Sequence, residues 1–197
     1  MTLVLASSSR SRKTMLTAAG VSFIADPASV DEGAVKKTLS AKQANATTVA
    51  ETLAMMKADE VSHRHPEALV IGSDQMLACG GRWFDKPVDR ATAKAQLLDL
   101  RGRKHELIAA VTVVRGNRPL WRHLDRASLV MRAFSEAFVD EYLDRVGDDA
   151  LLSVGAYQVE GRGIQLFDTI EGDVFTIMGM PLLPLLGFLR SQGVVRT

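Results

Sequence analysis

A single cysteine stands in 197 residues. Alone, Cys79 forms no intrachain disulfide, and its free thiol suits a reducing compartment. No base neighbours it, so it reads as a structural residue. An excess of one charge is also missing. Twenty-four Lys and Arg against 23 Asp and Glu leave a net charge of +1. A protein built for polymeric DNA or RNA needs a basic excess or stripe, whereas a local basic pocket for a small anion remains compatible. No apolar run reaches the roughly 18 to 20 residues that span a bilayer. Met1-Thr2-Leu3-Val4-Leu5-Ala6 is short and lacks a basic leader, so it reads as a first strand and not a signal peptide. These absences favour a cytoplasmic protein with neither nucleic-acid polymer nor membrane as partner. There is no internal repeat, low-complexity tract or interdomain linker. What is there is ordinary for a globular chain, with 47% hydrophobic and 24% charged residues. The length suits one domain, or one domain with two lobes.

Leu3-Val4-Leu5-Ala6 reads as a buried strand. It feeds Ser7-Ser8-Ser9-Arg10-Ser11-Arg12-Lys13 and then Met15, Leu16 and Ala19 at helical spacing, with Gly20 as the stop. Ser7 or Ser9 is a good N-cap. Three cations in the first turn oppose the helix dipole. Free N–H groups, hydroxyls and basic side chains at one helix start would make an anion site; a capped surface helix is the competing reading. Val21-Ser22-Phe23-Ile24 reads as a second strand. Asp31 and Glu32 read as loop or cap acids, although their oxygens would suit a divalent ion beside phosphates. Thr48-Val49-Ala50-Glu51 reads as a capping box for a helix reaching about His63. Lys57 falls near its middle, where a solvated lysine is the default. His63 and His65 fall in the exit loop, with no further metal ligand near.

The stretch around which the chain is organised is Leu69-Val70-Ile71-Gly72-Ser73-Asp74-Gln75-Met76. Its apolar run reads as a buried strand. At Gly72 and Ser73 a backbone or ligand can approach closely. Asp74 then ends the strand; by itself it would be a turn or cap acid. Cys79-Gly80-Gly81-Arg82 supplies hairpin turn chemistry. Lys86 precedes Pro87 and is biased to an extended backbone. Asp89 opens a helix with Ala93, Leu97 and Leu100 inward and Gly102 as its stop. Residues 107–114 and 120–133 read as an antiparallel pair, and His105 as structural. Ser135 caps a helix whose stripe of Phe138, Val139, Tyr142, Leu143 and Val146 is core. Residues 153–163 are glycine-rich without a dinucleotide fingerprint, and a strand is expected at 164–167. Glu160 and Arg162 lie there between glycines. Met178-Gly179-Met180-Pro181 leads into a last helix, with Pro181 or Pro184 at its start.

Taken in order, these pieces resemble one family along nearly the whole chain, the Maf proteins. The resemblance rests on Leu3-Val4-Leu5-Ala6-Ser7-Ser8-Ser9 with Arg12, Val30-Asp31-Glu32, Lys57-Ala58, Ile71-Gly72-Ser73-Asp74, Lys86-Pro87, Gly155-Ala156-Tyr157, Gly172-Asp173 and Gly179-Met180-Pro181-Leu182. It implies one Maf-like domain over residues 1–197. The implied fold is α/β and two-lobed, with a long mixed β-sheet flanked by helices and a central cleft. It implies cleavage of a nucleoside triphosphate between its α- and β-phosphates, giving a monophosphate and pyrophosphate. A divalent cation, magnesium or manganese, is implied as cofactor, and a homodimer is common in the family. By the same resemblance Ser7, Ser9 and Arg12 would hold phosphate, and Lys57 and Lys86 would neutralise it. Glu32 and Asp74 would bind the metal, Asp74 would also orient or deprotonate the attacking water, and Glu160 would line the nucleotide site.

The chain departs from the commonest family pattern at Ser11, where a second arginine is frequent, at Ser73-Gln75 and at Glu160. All three departures resemble the subgroup acting on 7-methyl-GTP, with Gln75 and Glu160 helping to choose the base. Met56, Asp85 and Thr176 also depart from the usual acid, glycine and asparagine. The alternatives are a dTTP/UTP pyrophosphatase of the same family, a non-catalytic nucleotide-binding regulator of cell division, and an unrelated anion-binding α/β protein.

Overall fold

The computed structural model describes residues 1–196. The chain divides into two compact units, one of residues 1–75, 108–125 and the segment from Val174 onward, the other of residues 76–107 and 126–173.

The first unit begins with β1 (Leu3–Leu5), α1 (Arg10–Ala18), β2 (Ile24–Ala25), α2 (Glu32–Ala41), α3 (Ala46–Ser62) and the first half of β3 (Leu69–Cys79). β1 lies parallel to both β2 and β3, with Val4 opposite Ile24 and Val70. Strands inside a parallel sheet are covered on both faces, which is why β1 and the start of β3 are continuously apolar. Alternation along each strand then divides them between two cores. Leu3, Leu5, Leu69 and Ile71 pack with Met15 and Leu16 of α1 and with Leu185 and Leu189 of α7 (Leu182–Ser191). Val4, Ala6 and Val70 pack the other way, on Ala58 and Val61 of α3. Each fully buried Leu, Val or Ile contributes about 1.5–3 kcal/mol. The unit also takes in the hairpin turn between β5 (Lys104–Arg115) and β6 (Arg118–Met131), and the short α6 (Val174–Ile177).

The second unit holds β4 (Arg82–Phe84), antiparallel on the end of β3, and α4 (Arg90–Leu100). Asp89 caps α4, which buries Ala93, Leu97 and Leu100 as their spacing predicts. α5 (Glu136–Val146), capped by Ser135, buries Val139, Tyr142 and Leu143. Short 3₁₀ turns at Gly147–Leu152, Val154–Ala156 and Arg162–Leu166 lead to β7 (Phe167–Glu171), which pairs antiparallel with β6. The strands form one mixed sheet in the order β2-β1-β3-β5-β6-β7, with β4 on β3. No helix among the described residues is long and apolar enough to cross a membrane.

Several local expectations are corrected. The second strand is Ile24–Ala25, displaced because Val21 turns into the core, its N–H bonded to the Leu16 carbonyl. Asn45, not Thr48, caps α3; its carboxamide accepts from Thr48 N–H, so the helix starts a turn earlier. Residues 164–166 wind as a 3₁₀ turn instead of extending, and α6 was not foreseen. Asp74 does not end its strand. It lies in the interior of an eleven-residue one.

Candidate functional site

Strand alternation continues through Gly72 and aims the side chains that follow. Gly72 lies on the α3 side, and a Cβ there would stand 2.1 Å from the Ala54 carbonyl oxygen and 2.6 Å from Ala58 N. The missing side chain therefore admits a helix backbone, not a ligand. Lys57, on the same stretch of α3, is brought to Asp74, two residues along the same face of β3. Its ammonium is 2.6 Å from Asp74 Oδ1 and 2.7 Å from Glu32 Oε1. The default of a solvated lysine is thus overturned. Lys57 is only 8% exposed and Asp74 only 4%. Asp31 caps α2 by accepting from Ala34 N–H, which sets Glu32 in the first helical turn with its side chain half exposed.

Burial drives the Asp74 carboxyl above its ordinary value, against the opposing pull of Lys57 and Arg12; the neighbouring Glu32 adds to the rise. For Glu32 burial acts in the same direction, but Lys57, with help from Lys36 and Arg12, outweighs it and holds the group low. Asp74 Oδ2 is buried and has no hydrogen-bond partner. An unsatisfied buried carboxylate oxygen is costly, and it leaves Asp74 with an acceptor open to a further donor or cation.

The opposite face of β3 carries Ser73 and Gln75. Arg12, 9% exposed, donates from Nη1 to the Ser73 carbonyl at 2.9 Å and to Ser7 Oγ at 3.2 Å, and from Nε to the Gly179 carbonyl at 2.9 Å. Ser73 Oγ donates to the same Gly179 carbonyl. Desolvation lowers the Arg12 guanidinium from its usual value, and Asp74 and Glu32 partly restore it. Ser9 Oγ caps α1 by accepting from Arg12 N–H, and Ser7 Oγ accepts from Ser9 N–H. Gln75 Nε2 donates to the carbonyls of Thr176 and Ile177, each at 2.9 Å. The Thr176 hydroxyl, fully buried, donates to Asp125.

Seven of the nine expected site residues therefore lie in the first unit: Ser7, Ser9, Arg12, Glu32, Lys57, Asp74 and Gln75. Lys86 and Glu160 belong to the second, both exposed, Lys86 after β4 and Glu160 between the 3₁₀ turns. Sequence reasoning missed Gly179 and Thr176 as anchors. Their contribution is backbone carbonyls more than a hundred residues away in the chain, and only the positive φ of Gly179, +104°, has a trace in residue type. His65 pairs with Asp26, and His63 with Asn117 and the Asp59 carbonyl, away from any metal role. Buried Cys79 gives its thiol to the Lys104 carbonyl, and burial raises its pKa, as expected of a structural thiol.

Hydroxyls and a guanidinium at the start of α1, with an ammonium inside α3 beside a carboxylate pair that keeps an open acceptor, supply groups of the kind that bind anions and cations. The donor set also fits a hard divalent cation. Two carboxylates supply oxygen ligands, one of them orphaned, and such ions take their other ligands from water and substrate phosphates. Among the described residues no third His, Cys, Asp or Glu completes an all-protein cage.

The chain belongs to the Maf-like protein family, whose model matches residues 2–192. It is 55% identical over 190 residues to a protein of Paramagnetospirillum magneticum named nucleoside triphosphate pyrophosphatase, covering 96% of this chain and 98% of that one. A protein of the same name from Granulibacter bethesdensis is 52% identical, with 98% of each chain covered. One from Rhizobium etli, named 7-methyl-GTP pyrophosphatase, is 51% identical, with 98% of this chain and 97% of that one covered.

Proposed function

We propose that this protein is a nucleoside triphosphate pyrophosphatase that hydrolyses the α–β phosphoanhydride, releasing a nucleoside monophosphate and pyrophosphate, with 7-methyl-GTP as its preferred substrate. The observation that carries the reading is the Glu32–Lys57–Asp74 cluster with its unpartnered Asp74 Oδ2, in a chain about half identical to relatives bearing both names.

Hydrolysis adds one water across the anhydride. Its hydroxide joins one phosphoryl group and its proton must leave. Asp74 accepts that proton; a carboxylate with a raised pKa, held on a rigid strand, is a better base than a solvated one. Glu32 and Asp74 would hold magnesium or manganese, which when bound supplies positive charge to the phosphates and a template for the water. Lys57 and Lys86 neutralise phosphate oxygens as point charges, and Ser7, Ser9 and Arg12 organise the α1 start where phosphate is bound. In this chain Arg12 already spends three hydrogen bonds on Ser7, Ser73 and Gly179, so its part is as much to shape the site as to touch the substrate. Glu160 accepts hydrogen bonds from a guanine-like edge or offsets a methylated ring's charge, and Gln75 supports the choice of base from the β3 side. The enzyme works on free nucleotides in the cytoplasm.

The test is a panel of 7-methyl-GTP, GTP, dTTP and UTP with Mg²⁺ or Mn²⁺, reading monophosphate and pyrophosphate by chromatography. The highest kcat/KM is expected for 7-methyl-GTP. A preference for dTTP or UTP would move the protein to the other branch of the family. No turnover of any member would replace the enzyme reading with that of a nucleotide-binding regulator.

A further inference from the structure

Lys57 holds a place that the reaction needs for something else. Its Nζ touches one oxygen of Glu32 and one of Asp74, at 2.7 and 2.6 Å. A cation held by Glu32 and Asp74 together would compete with Lys57 for their negative charge. We propose that Lys57 is the resident counter-ion of the Glu32–Asp74 pair, that a divalent cation exchanges with it, and that this exchange requires nucleotide, so the free protein binds the cation only weakly. The proposal rests on the hydrolase reading above and adds an order of events to it.

Charge decides the order. In the free protein the two carboxylates, Glu32 and Asp74, are already compensated by Lys57 and Arg12, and Lys36 adds further positive charge near Glu32. Bringing in a divalent ion alone leaves two uncompensated positive charges in a largely buried place, where Coulomb energies are several times those in water. A nucleoside triphosphate removes the difficulty twice over. It carries the missing negative charge, and it offers the displaced ammonium new acceptors on phosphate.

The three side chains differ in the freedom such an exchange requires. Asp74 is fixed in the interior of β3, its side chain 5% exposed, with Oδ2 already lacking a partner. Glu32 stands at the open first turn of α2, its side chain 45% exposed, and can swing. Lys57 carries its charge on a flexible four-carbon stem. A fixed acceptor, a movable acceptor and a movable cation are the parts of an exchange device; a permanent structural ion pair has no use for the orphaned oxygen.

The experiment titrates the full-length protein with Mn²⁺ in the absence of nucleotide, reading free Mn²⁺ by electron paramagnetic resonance. Lys57→Met should bind Mn²⁺ at least ~10-fold more tightly than wild type, since one positive charge beside the site is gone. Adding Asp74→Asn to Lys57→Met should abolish that gain and so assign it to the carboxylate pair. A non-hydrolysable α,β-methylene triphosphate should tighten Mn²⁺ binding to wild type more than to Lys57→Met. Equal or weaker Mn²⁺ binding by Lys57→Met, or a gain that survives Asp74→Asn, overturns the proposal. Lys57→Gln repeats the comparison if the Met variant does not fold by circular dichroism. Turnover of the panel by wild type is read in parallel. An active enzyme without the Mn²⁺ gain removes only the exchange, whereas a Mn²⁺ gain in an enzyme with no turnover removes only the hydrolase reading.

Discussion

Two buried polar clusters, one in each unit, handle burial in opposite ways. In the first unit, Glu32, Lys57 and Asp74 are charged, and one carboxylate oxygen goes without a partner. In the second, His105 Nε2 is 2.8 Å from the Tyr157 hydroxyl, and the Tyr142 hydroxyl donates to the Ala156 carbonyl. His105, Tyr142 and Tyr157 are all at most 5% exposed. Burial pushes His105 down from 6.5 to about 4 and both tyrosines up, so all three are neutral near pH 7. The His105 and Tyr157 rings pack together and on Phe167, the Tyr157–Phe167 pair edge to face at 4.9 Å. Here too one atom, His105 Nδ1, is buried without a partner, but the group is neutral, and a neutral polar atom costs less to leave unpaired than a charged one. Charges can be buried only with partners, and leaving an oxygen unsatisfied costs more still. The neutral cluster is therefore architecture. The charged one keeps a cost that folding does not require, and the reason lies in its chemistry.

The sharpest way to break this contrast is Asp74→Asn. It should cut kcat on the order of 10³-fold or more, about 4 kcal/mol of barrier, while folding stability falls by much less, because buried Lys57 keeps Glu32 as a partner. Steady-state kinetics and urea unfolding read both. A variant with full activity would return Asp74 to structure. Next is Gly72→Ala, whose Cβ would meet the Ala54 carbonyl at 2.1 Å. Forcing α3 off β3 should cost on the order of 4 kcal/mol in urea unfolding, and activity should fall even in the folded fraction because α3 carries Lys57.

The neutral cluster makes the opposite prediction, and its sign can be worked out. Between pH 6.5 and about 4 the unfolded chain binds a proton at His105 that the folded protein refuses. Its contribution to stability is therefore complete above pH 6.5 and lost as pH falls toward 4, about 3 kcal/mol in all. His105→Gln should flatten that part of a urea-unfolding pH series while leaving kcat/KM at pH 7 within about twofold, too little to count as a loss of transition-state stabilisation. A large loss of activity with an unchanged pH series would erase the distinction between the clusters. Smallest is Arg145→Ala. Arg145 pairs with Glu141 one helical turn away at 2.7 Å, but both side chains are more than half exposed. Its loss should change stability by less than about 0.5 kcal/mol in the same unfolding assay, which sets the value of an ion pair in water beside one in the site.

Much of the fold was legible in local pattern. The α4 stripe of Ala93, Leu97 and Leu100 with its Asp89 cap, the Ser135 cap and the β5–β6 turn are all where periodicity and capping chemistry put them. Errors fall where local signals compete. Asn45 and Thr48 both suit an N-cap, and burial of Ala46 favours the earlier start. Residues 164–166, expected to extend, wind instead as a 3₁₀ turn at the end of the glycine-rich run, where a Cβ on Gly163 would stand 2.5 Å from the Gln158 carbonyl oxygen. Of the site, the residue types were readable and their state was not. Lys57 sits on a helix with the look of any solvated lysine, and nothing within ten residues of it announces a buried carboxylate.

By itself, then, the sequence determined the family, the local elements and the set of acids, cations and hydroxyls available for chemistry, because caps, periodicities and motifs act over a few residues. Tertiary structure alone decided that Asp74 lies inside its strand, that Gly72 draws α3 down until Lys57 meets it, and that Asp74 Oδ2 goes unpaired. Those facts depend on contacts between segments far apart in the chain, and on a local dielectric that exists only once they have packed.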